Sequence, residues 1–85
     1  EEINVAQAYL NFKSCALMTD DCTRGFGSSA VSLKKWQEGY DSFRKLCRKD
    51  RKWSLYVRKA SMIAKDLGAL DWEQKFLELS LNCNI

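Results

Sequence analysis

Ser32-Leu-Lys-Lys-Trp-Gln-Glu-Gly-Tyr-Asp-Ser-Phe-Arg-Lys-Leu-Cys47 decides how this chain is read. Leu33, Trp36, Tyr40, Phe43 and Cys47 recur at alternating steps of three and four, the apolar stripe of an amphipathic helix. A second stripe follows in Trp53, Tyr56, Ala60, Ile63 and Leu67. In one straight helix the second stripe would face about 120° away from the first. A turn near residues 48–51 removes the mismatch, with Asp50 as N-cap of the next helix. A bent continuous helix is the alternative, since no glycine or proline sits there. The stripe of Trp36, Tyr40 and Phe43 reads as core rather than as a ligand box, because helical spacing of aromatics is what core packing needs.

Outward from this stretch, the spacing predicts four helices. The first covers residues 3–18, with Val5, Ala8, Tyr9, Phe12, Cys15 and Ala16 on one face and Glu1 and Glu2 at its positive end. Residues 19–31, rich in Asp, Thr, Gly and Ser, read as the one long surface loop, tied down by Cys22. Asp20 and Gly25 match two positions of a calcium loop, but Cys22, Arg24 and Val31 stand where oxygens are required. Gly25-Phe-Gly27 lacks the preceding strand and the Gly-Lys-Ser/Thr of a phosphate cradle. Ser32 reads as N-cap of the second helix, with Val31 and Trp36 as a hydrophobic staple. The third helix covers 51–67 and stops at Gly68. Asp71 and Gln74 form a capping box for the fourth, whose face is Trp72, Phe76, Leu79 and Cys83.

An 85-residue chain, 46% hydrophobic and without proline, fits one small all-α domain over residues 1–85, an antiparallel bundle. Chains of this size often need a covalent staple. Cys15, Cys22, Cys47 and Cys83 form no Cys-x-x-Cys pair, and histidine is absent, so a zinc site is not expected and no metal or cofactor is assigned. Two disulfides are expected instead, with the oxidising compartment they imply; four reduced, buried thiols are the alternative. Four cysteines allow three pairings. Alternating helices favour Cys15–Cys22 and Cys47–Cys83, at opposite ends of the bundle, but place helices two and four diagonally in a strict square. The chain begins Glu1-Glu2, as expected after removal of a signal peptide or of a trimmed piece. No apolar run approaches the roughly twenty residues of a membrane span, so a soluble protein without a membrane partner is expected.

Charge is unevenly placed. Arg44, Lys45, Arg48, Lys49, Arg51, Lys52, Arg58 and Lys59 share one stretch with a single acid, Asp50, for a local +7 against −4 elsewhere. Arg48 and Lys49 suit the negative end of the central helix, whereas Arg51 and Lys52 oppose the positive start of the next. A local rule broken without local benefit marks a candidate binding site: Arg44, Arg48, Lys49, Arg51 and Lys52, facing an acidic protein surface. An ordinary solvated face is the competing reading. Without histidine there is no Ser–His or Cys–His pair, and disulfide-bonded cysteines are not nucleophiles, so no catalytic residue is assigned and no enzyme is expected. A binding protein remains, expected as a monomer. Alternatives are a module for a polyanion, heparin or nucleic acid, the latter disfavoured by an oxidising compartment, and a small hydrophobic-ligand carrier of the helical odorant-binding kind.

Tyr9-Leu-Asn-Phe-Lys-Ser-Cys15, Phe43-Arg-Lys-Leu-Cys47 and Leu79-Ser-Leu-Asn-Cys83, in a short basic helical chain with four cysteines, resemble the small salivary proteins of blood-feeding insects. The general design is similar to the anophensin/albicin type of anopheline mosquitoes, over most of the chain. The resemblance implies a secreted, non-enzymatic inhibitor of host defence, directed at a plasma protein of the alternative complement pathway or the contact system. No functional residue is carried over from it.

Overall fold

The computed structural model describes residues 4–83, and these are all-helical, with five α-helices and no strand among them. Helix α1 is Val5–Lys13; the Asn4 side chain caps it by accepting the Gln7 N–H at 3.0 Å. The expected first helix is shorter at both ends: turns occupy 14–18, and Glu1, Glu2 and Ile3 lie outside the described residues.

The segment read as a long loop is helix α2, Asp20–Ser32. Thr19 caps it by accepting the Cys22 N–H at 3.1 Å, and Asp20 and Asp21 fill its acidic first turn. Two interior glycines cost such a helix roughly 1 kcal/mol each in propensity. Tertiary packing outweighs that cost. A Cβ on Gly25 would meet the Phe12 ring at 2.6 Å, and one on Gly27 the Phe43 ring at 3.1 Å. The small residues let α1 and α3 lie directly on α2.

Ser32 therefore ends a helix instead of capping one, and Val31 is fully buried in the core. The chain turns through Lys34 at φ 63°, where the Lys34 and Lys35 N–H groups reach the Val31 and Ala30 carbonyls at 3.0 and 2.8 Å. Helix α3, Trp36–Lys49, then has Lys35 at its N-cap, three residues after the expected Ser32.

Asp50 breaks the chain after α3, and its carboxylate accepts the Lys52 N–H at 2.9 Å. A single 3-10 turn, Arg51–Trp53, leads into α4, Ser54–Asp66. Gly68 at φ 80° closes α4 with the same pair of bonds, Gly68 N–H to Lys65 at 3.0 Å and Ala69 N–H to Ala64 at 2.8 Å. Helix α5, Leu70–Leu81, has no side-chain cap; Asp71 lies inside its first turn, so the capping box is not formed.

Helices α2 and α3 pack along each other, as do α4 and α5, and α1 covers the outside of α2. The core joins the two pairs: Val31, Phe43, Leu46, Val57, Ala60, Ala64 and Phe76 are all essentially buried. Phe43 meets Phe76 edge-on at 6.3 Å between centroids, and the half-buried Trp36 stacks on Trp72 at 6.5 Å. Two disulfides fasten this frame, Cys15–Cys22 between the two flanks of the α1–α2 connection and Cys47–Cys83 between the ends of α3 and α5.

Candidate functional site

The basic residues of α3 are exposed because its buried face lies elsewhere. Gly39, Ser42, Phe43, Leu46 and Cys47 turn inward, leaving Arg44, Lys45 and Arg48 outside. Lys49 ends the helix, and Arg51 and Lys52 follow in the 3-10 turn, all three exposed. The five residues expected to bind a partner thus occupy the last turns of α3 and the turn beyond it. Trp53, 5% exposed, roots that turn in the core, while the Lys52 ammonium lies 5.1 Å from the centre of its ring.

Lys49 is the exception within the set. Its Nζ lies 2.8 Å from Asp20 Oδ1 at the start of α2, the one ion pair among the described residues. Both side chains are largely exposed, at 64% and 44%, so such a pair is worth about 0.2–1 kcal/mol. Arg44, Arg48, Arg51 and Lys52 pair with no described acid. Arg58 and Lys59 stand apart on the exposed side of α4, and the Lys59 ammonium lies 5.3 Å from the centre of the Tyr56 ring.

The Lys49–Asp20 pair borders a groove of about 310 Å³. One wall is Ala16, Leu17 and Asp20, from the segment closed by Cys15–Cys22, with Thr23 just beyond it. The other is Lys45, Leu46, Arg48 and Lys49 of α3. Thr23 pins the first wall by donating its hydroxyl to the Ala16 carbonyl. Leu17 and Met18 beside it are 89% and 78% exposed. Sequence reasoning missed this groove, and with it Lys45 as a rim residue, because it took residues 19–31 for a loop. The signal was present: Thr19 followed by Asp20 and Asp21 is an N-cap with an acidic first turn.

Among the described residues no cluster of three or more cysteine, aspartate or glutamate side chains is arranged to hold a metal, and no helix is long and apolar enough to cross a membrane. What the site presents is a row of cations along one side of an apolar groove. Such a surface suits electrostatic steering and side-chain burial. The chain matches no protein-family model, no curated protein and no solved structure.

Proposed function

We propose that this protein acts by stoichiometric binding in an extracellular setting, docking the basic end of α3 on an acidic surface of a partner protein. The observation that carries the reading is the placement of Arg44, Arg48, Arg51 and Lys52. All four are exposed, none pairs with a described acid, and the corner they occupy is held by Cys47–Cys83. A rigid corner loses less conformational freedom on binding than a loose basic tail. The two disulfides support secretion, since such bonds persist in oxidising compartments. The absence of histidine from the sequence supports binding rather than turnover. The partner class, a host plasma protein of the alternative complement pathway or the contact system, and the inhibitory outcome are supported by the salivary-protein resemblance alone.

The test is capture of the partner from plasma on immobilised protein, followed by association kinetics. The triple variant Arg48→Glu, Arg51→Glu and Lys52→Glu should slow association at least tenfold, and rising salt should slow the parent. All three side chains are exposed, so circular dichroism should show an unchanged fold. A folded triple variant that associates as fast as the parent would leave these residues as a solvated face and refute the reading. A steep salt dependence together with retention on heparin, and no plasma protein captured, would favour the polyanion alternative.

A further inference from the structure

We propose that the groove between the Cys15–Cys22 segment and the end of α3 receives one or two large apolar side chains from an acidic segment of the partner protein. The carboxylates flanking those side chains pair with Lys45, Arg48 and Lys49. The inference rests on the binding reading above and specifies the chemistry of its ligand.

Shape, lining and charge each narrow the occupant. At about 310 Å³ the groove lies at the lower limit of small-molecule sites, which suits a side chain or two better than an extended acyl chain. Ala16 contributes apolar lining above the buried Leu46, and Leu17, 89% exposed, extends it outward. A sulfated sugar or a phosphodiester backbone has nothing apolar to place there. A flat bilayer could touch Leu17 but would leave a concave groove unfilled. An apolar side chain fills it and removes Leu17 from water in the same step.

Charge then selects among apolar segments. Three cations border the groove against one lining carboxylate, Asp20, which already faces Lys49. A basic segment would be repelled, and a neutral one would leave the cations without partners. An acidic segment meets Lys45 and Arg48, neither of which has an ion-pair partner among the described residues. It can also compete for Lys49, whose present pair is exposed and therefore weakly held.

The experiment is selection from a displayed library of random dodecapeptides against the disulfide-intact chain. The expected winners carry Leu, Ile, Phe or Trp between Asp or Glu residues. The best winner, made synthetically, should bind the double variant Leu17→Ser and Lys45→Glu at least tenfold more weakly than the parent. Both residues are exposed, so thermal melting should confirm that the fold is kept, and Lys45→Glu alone serves if it does not. Amide shifts in the labelled protein should concentrate at residues 16–23 and 45–49. Three results overturn the proposal: winners without the acidic–apolar pattern, equal binding to parent and variant, or binding only to phosphatidylserine vesicles. The plasma partner and the Arg48, Arg51 and Lys52 triple variant test the broader reading separately. A partner that depends on that triple variant but not on Leu17 or Lys45 would sink this inference alone.

Discussion

Tyr9 reaches from α1 to α3 and donates its phenolic hydrogen to the Glu38 carboxylate, with Phe26 stacked on its ring at 5.1 Å. Lys13 and Lys35 lie over the same ring, at 5.7 and 5.4 Å. The hydrogen bond to Glu38, then burial, then the charge of Glu38 raise the phenol above its ordinary 10.0. The folded state therefore holds this proton more tightly than the unfolded chain. Its stabilisation is complete below about pH 10 and is lost as pH climbs through the raised value. Tyr9→Phe should cost about 1 kcal/mol at neutral pH, and the gap from the parent should narrow above pH 10; melts over that range that stay parallel would exclude the effect. Lys34 is strained for another reason, since its φ of 63° places a Cβ where L-residues pay. Lys34→Gly should raise stability by about 0.5–1 kcal/mol, or a few degrees in Tm. Gly68→Ala, at φ 80° with open space around it, should lower stability by about 1 kcal/mol. Thermal melts of both variants decide the point, and a loss on Lys34→Gly would contradict it.

The pairing of α2 with α3 depends on what its glycines lack. A Cβ on Gly39 would stand 2.5 Å from Val31 Cγ2 and 3.2 Å from the Gly27 carbonyl oxygen. Val31 is fully buried and β-branched, so it cannot swing aside. On an exposed helix Gly→Ala would gain about 1 kcal/mol. Here Gly39→Ala should instead cost about 1–3 kcal/mol, because the two helices must separate. Chemical denaturation gives the sign directly, and a stabilised variant would show that the contact yields. The same glycines explain what could be read beforehand. The stripes of α3 and α4 were legible as helices because large apolar residues recur at helical spacing. The buried face of α4, however, is Val57, Ala60, Ser61 and Ala64, which shares only Ala60 with the expected stripe, and Leu67 is exposed. The α3 stripe traced mainly the edge toward α5, through Trp36 and Tyr40, with Phe43 between α5 and Gly27 of α2. The edge against α2 includes Gly39 and Ser42, small residues that carry no hydrophobic signal. Helix α2 failed the same way: its buried residues are Gly25, Gly27, Ser29, Ala30 and Val31, mostly turn-formers by propensity. The basic end of α3 was legible as charge, but its groove was not, since the groove exists only once α2 is a helix.

At the scale of the molecule, the two disulfides close loops of very different size. Cys15 and Cys22 are 7 positions apart, and Cys47 and Cys83 are 36 apart. On the loop-entropy model the first contributes about 2 kcal/mol and the second about 4 kcal/mol. Replacing Cys47 and Cys83 by Ala should therefore lower the urea midpoint well below that of the Cys15→Ala, Cys22→Ala pair. The reverse order would mean that the short bridge, and not the link between helix pairs, holds the fold. The short bridge should matter more for the groove, one wall of which it closes. The long bridge has a different consequence wherever the chain is exposed to a trypsin-like protease. Six of the eight basic residues in the charged stretch, Arg48, Lys49, Arg51, Lys52, Arg58 and Lys59, lie inside the loop that Cys47–Cys83 closes. Cleavage after any of them severs the backbone but not the molecule. The nicked chain gains only a water, and both pieces stay bolted together where α3 meets the end of α5. Only Arg44 and Lys45 offer cuts in that stretch that the bridge does not span.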